Sequence, residues 1–169
     1  MGMASAVQRR MHEDEARPAC VAPLWQPSEP ARIIVTQDDP ELRELVMTKL
    51  LDDGHEVYGA SSARELLHLL AAAGSTIPPL DGADLIVLDQ DLRDLSGIEI
   101  IRRLRGARSK IPLLLMAGFP SRELLRETKT LRVPILVKPF PLSDLSNAAL
   151  LLMLMSTTGA SDLRKSATL

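Results

Sequence analysis

From Arg32 to Met155 the chain alternates short apolar runs with segments of helical period, five times over. "RIIV" is a β-branched run of strand character. In "PELRELVMTKLLDD", Leu42, Leu45, Val46, Lys49 and Leu50 recur at three and four, which predicts one face of a helix. Asp39 is placed to cap that helix. Pro40 falls at its first position, where a missing N–H costs nothing. Gly54 is expected to end it, and "HEVYGA" to form a second strand. "SSARELLHLLAAAG" predicts a second helix, capped by Ser61 or Ser62 and closed by Gly74. "STIPPLDGA" reads as a loop. "DLIVLD" (Asp84 to Asp89) is apolar between its acidic ends, so a strand here is covered on both faces. Helix "GIEIIRRLRG", strand "IPLLLMAG", helix "SRELLRETKTL", strand "PILVK" and helix "LSDLSNAALLLMLM" complete the series. No internal repeat is visible.

Strict βα alternation predicts an α/β fold, a parallel sheet with helices on both faces. Right-handed crossovers leave few topologies, and five strands fit the flavodoxin-like (βα)5 doubly wound sheet of order 2-1-3-4-5. The expected organisation is a Pro-rich tail over residues 1–30, a domain over 31–155 and a polar C-terminal tail over 156–169. Trp25, in the first tail, is read as exposed. Ligands of such sheets bind beyond the C-terminal strand ends.

Those ends carry the polar chemistry. The first strand delivers Gln37, Asp38 and Asp39. The third delivers Asp89, Gln90 and Asp91. The fourth delivers Ala117 and Gly118, and the fifth Lys138, Pro139 and Phe140. In the order 2-1-3-4-5 the first and third strands adjoin, so Asp38 and Asp89 are expected to face one another. Two close carboxylates repel unless a proton or cation lies between them. Mg²⁺, which takes one or two carboxylates, suits such a place, and Lys138 adds a positive charge. Together they form a site able to receive a phosphoryl group. An Asp at a strand end also serves as a turn former or cap. Asp39 is read as the cap, while spacing alone leaves both readings open for Asp38 and Asp89.

Other chemistries find less support. The net charge is -2, so nothing argues for nucleic acid. Arg102, Arg103, Arg105, Arg108 and Lys110 read as a solvated helix face and its exit loop. Cys20 is the only cysteine, which excludes an intramolecular disulfide and suggests a cytoplasmic chain. His12, His55 and His68 lack zinc-site spacing. No secretory signal is evident at the N-terminus. "AALLLMLM" is shorter than the ~20 residues needed to span a bilayer and reads as a buried helix, so no membrane association is expected.

"IIVTQDDPELREL", "DLIVLDQDLRDLSGIEIIRRLR", "IPLLLMAG" and "PILVKPF" resemble the receiver domain of two-component response regulators, over about Arg32 to Met155. The resemblance implies that Asp89 is the phosphoacceptor, taking a phosphoryl group from a phosphohistidine of a sensor histidine kinase or histidine phosphotransfer protein. It implies that Asp38 ligates Mg²⁺ together with Asp89, and that Asp91 lends its backbone carbonyl. Lys138 matches the lysine that contacts the phosphoryl oxygens. Pro139 matches the proline after it, often preceded by a cis bond, and Gly97 the glycine that opens the turn into the third helix.

Four positions depart from the family's pattern. Gln37 stands where a second acid is usual, so the side chains of Asp38, Asp89 and Lys138 sum to -1 and weaker Mg²⁺ binding is expected. Ala117 stands at the switch Thr or Ser, and a methyl group cannot bond a phosphoryl oxygen. Losing a hydrogen bond to a charged group removes roughly 1.5–3 kcal/mol of coupling. The N–H of Ala117 or Gly118 is left to donate. Ile135 replaces the expected aromatic, and Arg93 a frequent proline, which reads as a mild loop change.

The chain is therefore expected to be a phosphoacceptor with weakened or altered switching, acting on a downstream protein partner and not as an enzyme. No effector domain is expected after Lys138. Dimerisation through the face of the fourth helix, fifth strand and fifth helix is left open. The runner-up is a pseudo-receiver that docks proteins without phosphorylation. A third reading takes "VLDQDL" as the D-x-D signature of haloacid-dehalogenase-type phosphatases, but that signature belongs on a first strand and here lies on the third.

Overall fold

Strands β1 (Arg32–Thr36), β2 (Glu56–Ala60), β3 (Leu85–Asp89), β4 (Leu113–Ala117) and β5 (Ile135–Val137) alternate with helices α1 (Pro40–Asp52), α2 (Ala63–Ala71), α3 (Gly97–Gly106), α4 (Arg122–Thr130) and α5 (Leu142–Lys165). The structure is a computed structural model that describes residues 30–71 and 83–165. The strands form one parallel sheet in the order β2-β1-β3-β4-β5, as the alternation predicts. The expected N-terminal tail, with Trp25 and Cys20, lies outside the described residues. So do Gly74 and nearly all of the loop expected after it.

Two hydrophobic layers hold the sheet. Ile33, Val35, Leu85, Val87, Leu114 and Met116 face one way and pack with Val46 and Leu50 of α1 and Leu145, Ala149 and Met153 of α5. Ile34, Ile86, Leu88, Leu113 and Leu115 face the other way, with Leu66 of α2, Ile100, Ile101 and Leu104 of α3 and Leu124 of α4. This is the period of two of a strand covered on both faces. β3 and β4 are buried at every position.

Helix boundaries follow their caps. Asp39 accepts from the N–H groups of Glu41 and Leu42, and Pro40 opens α1. Gly54, at φ 90°, follows the α1 C-cap in a conformation that glycine adopts without steric cost. Ser62 accepts from Glu65 N at the start of α2, and Ser121 caps α4.

Two expectations are corrected. Leu45, counted on the apolar face of α1, is 50% exposed, because it lies at the edge of the stripe that Val46 and Leu50 turn inward. The polar stretch expected to be a tail from residue 156 continues α5 as far as Lys165. Polar side chains do not end a helix, and no proline interrupts this stretch. Among the described residues no helix is long and apolar enough to cross a membrane.

Candidate functional site

The C-terminal rim of the sheet gathers most of the residues singled out by sequence. Register pairs Thr36 of β1 with Leu88 of β3, so Gln37 and Asp38 leave β1 beside Asp89. Asp89 is 3% exposed, and Lys138 Nζ donates to its Oδ1 at 2.8 Å. Lys138 is held there by its own N–H, which bonds the Ala117 carbonyl at the end of β4 at 2.8 Å. The Lys138–Pro139 peptide is cis.

Asp38 is not paired with Lys138. Its Oδ2 accepts from Arg93 Nε at 3.0 Å. Arg93 lies on the loop between β3 and α3, and its side chain is 84% exposed against 20% for Asp38. The charges of these four side chains, Asp38, Asp89, Arg93 and Lys138, cancel, where the count without Arg93 leaves one negative charge. Beyond the mild loop change expected at position 93, the long Arg93 side chain reaches a partner just past the end of β1.

Gln37 is 1% exposed, and its Oε1 accepts from Asp39 N at 3.2 Å. That contact orients the amide, since a backbone N–H needs an acceptor. Nε2 is then a buried donor with no protein partner among the described residues. Gln37 thus brings a donor where an acid would bring an anion. Arg43 Nη1 donates to the Gln37 carbonyl at 2.6 Å and ties α1 to the end of β1.

The loop after Asp89 is closely built. Gly97 N bonds the Gln90 carbonyl at 3.0 Å, and Ile98 N bonds Gln90 Oε1 at 3.1 Å, so Gln90 caps α3 while Ser96 makes no side-chain cap. A Cβ on Gly97 would lie 2.5 Å from the Asp89 carbonyl oxygen, so this turn requires glycine. Asp94 reaches across to α2, where its oxygens accept from Ala63 N and Arg64 N, each at 3.0 Å. Burial raises the Asp94 carboxyl, but backbone donors at Ala63, Arg64, Asp94 and Leu95 outweigh it and hold the group below its ordinary value. Asp91 is exposed on the same loop.

Ala117 is 2% exposed and carries no hydroxyl. Gly118 is half-buried with open space beside it. Ile135 is half-buried against the core layer that includes Leu113 and Leu115. Sequence reasoning missed three partners: Arg93 for Asp38, Asp94 for α2 and Gln90 for α3. Local spacing could have suggested only Gln90, a side-chain acceptor shortly before a helix start.

Mg²⁺ takes oxygen ligands, commonly one or two carboxylates with carbonyls and waters. Asp38, Asp89 and the Asp91 carbonyl supply such a donor set at one rim, so the residues fit the ion. Among the described residues no three or more His, Cys, Asp or Glu side chains converge to hold a metal ion.

A five-stranded doubly wound sheet with an acid after β1, an acid ending β3 and a lysine after β5 defines a CheY-like α/β module. The chain matches the response regulator receiver domain over residues 33–150 and belongs to that family. It is 32% identical over 117 residues to the response regulator MprA of Mycolicibacterium vanbaalenii, covering 69% of this chain and 47% of that protein. It is 29% identical over 99 residues to the cell cycle transcriptional regulator CtrA of Caulobacter vibrioides, covering 59% and 38%. The chain thus spans about half or less of these relatives. Among solved structures it resembles the chemotaxis protein CheY4 of Vibrio cholerae (TM-score 0.62, 25% identity, 73% of this chain and 98% of that one). A CheY-like receiver of Methanospirillum hungatei gives a TM-score of 0.67 at 20% identity, over 78% and 99%, and supports the fold alone. Membership places the chain in two-component signalling, in a receiver family and not an enzyme family.

Proposed function

We propose that the chain is the phosphoacceptor of a two-component phosphorelay in the cytoplasm, with Asp89 as acceptor. The observation that carries this reading is the Lys138–Asp89 bond: a carboxylate 3% exposed at a strand end, with a cation 2.8 Å from one oxygen. An Asp89 oxygen attacks the phosphorus of a phosphohistidine on a sensor histidine kinase or phosphotransfer protein. The new P–O bond forms as the P–N bond breaks, and the departing imidazole nitrogen takes up a proton. Lys138 holds the carboxylate in place and offers its charge to the phosphoryl oxygens. Asp38, Asp89 and the Asp91 carbonyl would hold Mg²⁺, which when bound neutralises charge on the transferred group. Ala117 offers no hydroxyl and Ile135 no ring, so the conformational response is weakened or takes another route. Output passes to a downstream protein, and the exposed Leu125, Val137, Leu151 and Met155 on α4, β5 and α5 offer it, or a second copy of the chain, an apolar surface.

One observation favours a second reading, a pseudo-receiver that docks a partner without phosphorylation: the Arg93–Asp38 pair neutralises the carboxylate assigned to the metal. Intact mass after incubation with Mg²⁺ and a small-molecule phosphodonor separates the two. A phosphoryl adduct that Asp89→Asn abolishes supports the acceptor. No adduct at any Mg²⁺ concentration supports the docking module.

A further inference from the structure

We infer that Arg93 is a tethered counter-cation of Asp38, which a divalent ion must displace to bind. The inference rests on the reading of Asp38 as a metal ligand and adds to it a competitor built into the chain. Three features argue for displacement and against a permanent lock.

First, the contact is single. Arg93 donates through Nε alone at 3.0 Å, without the paired fork that makes Arg–carboxylate bonds strong. Second, the partners are shielded unequally. The Arg93 side chain is 84% exposed, so it loses little hydration by the contact and regains it on release. Asp38, at 20%, keeps access for an incoming ion. Third, Arg93 lies on the same β3–α3 loop as Asp91. A divalent ion that engages Asp38 and the Asp91 carbonyl meets the guanidinium charge at close range. Like charges this near repel, so the cation and the arginine exclude one another at Asp38.

The two ion pairs then have a definite meaning. With Arg93 in place, Asp38 and Asp89 each have one cationic partner, and Asp38 attracts a divalent ion less than an unpaired carboxylate would. With Arg93 swung out, Asp38, Asp89 and Lys138 together carry one negative charge. Metal affinity is set by the difference between two competing cations, one of them covalently attached. The buried amide of Gln37, a donor where an anion is usual, does nothing to restore the balance.

The test is calorimetric titration of the full chain with MgCl₂, comparing wild type, Arg93→Gln, Arg93→Lys and Asp38→Asn. Asp38→Asn is expected to abolish the binding heat. Arg93→Gln is expected to tighten Mg²⁺ about fivefold, and Arg93→Lys to stay near wild type. The Arg93 Nε–H resonance, followed by nitrogen-15 NMR, is expected to shift to that of a solvated arginine as Mg²⁺ saturates the wild type. Unchanged or weaker binding in Arg93→Gln, with Asp38→Asn still inactive, overturns the counter-cation and leaves the metal reading standing. An Arg93 signal unmoved at saturation does the same. Absence of Mg²⁺ binding in both wild type and Arg93→Gln overturns both.

Discussion

Lys138 and Asp89 are joined at 2.8 Å, and the two ends of that bond are shielded unequally: the lysine side chain is 23% exposed and the aspartate 4%. The pair therefore breaks asymmetrically. Lys138→Met leaves a buried carboxylate without its cation, which costs about 3 kcal/mol. Asp89→Asn leaves a lysine able to reach water, at a cost of at most about 1 kcal/mol. Urea denaturation of the two variants checks this, and equal losses would contradict it.

Gly97 is the most crowded of the described glycines. Its added Cβ would meet the Asp89 carbonyl oxygen at 2.5 Å, Leu115 Cδ1 at 2.6 Å and the Gln90 Cα at 3.0 Å. Two of these are backbone atoms that cannot step aside. Gly97→Ala is expected to cost about 2–3 kcal/mol. Gly106→Ala, at the other end of α3 with nothing within 4 Å, is expected to change stability by less than about 1 kcal/mol. Thermal unfolding of both variants reads the contrast.

Ala117→Thr restores a hydroxyl at the end of β4. The site is 2% exposed, so the larger side chain is expected to cost about 1–3 kcal/mol of stability. In return the phosphorylated protein gains roughly 1.5–3 kcal/mol of coupling to the following loop. Amide shifts of residues 118–122, compared before and after phosphodonor treatment, should move further in the variant than in wild type.

His55 supplies a pH test. Burial lowers its imidazole below the ordinary value, more than the nearby Asp53 and Asp84 raise it. Its Nδ1 is buried without a partner among the described residues. The unfolded chain therefore takes up the proton more readily than the folded one. The stabilising difference is whole above the unfolded value of about 6.5 and is lost as pH falls through the lower folded value. Unfolding midpoints measured from pH 8 to pH 5 should decline in wild type, and His55→Gln should lack that component of the decline.

The fold was legible because each level of the chain repeats the same message. Apolar β-branched runs, three-and-four spacing and Asp39, Pro40 and Gly54 as punctuation agree with one another, so strand order followed from connection rules. The end of α5 was not legible. A fall in hydropathy at Ser156 marks where the core stops needing the helix, and that is a different event from where the backbone bonds stop. Leu45 was misjudged for a related reason, since periodicity defines a stripe but not its width. In the site, Asp38, Asp89 and Lys138 were legible because strand ends point to one rim. Arg93 was not. Which carboxylate a flexible side chain reaches depends on the path of a loop, and no spacing along the chain encodes it.

Asp94 accepts the first amides of α2 while belonging to the segment that leaves Asp89. That shared carboxylate ties two otherwise separate parts of the molecule. Anything that drags the segment outward must either pull the helix with it or leave the Ala63 and Arg64 N–H groups without this acceptor. The β3–α3 loop and the start of α2 are thus held together by a contact in which neither Ala117 nor Ile135 takes part.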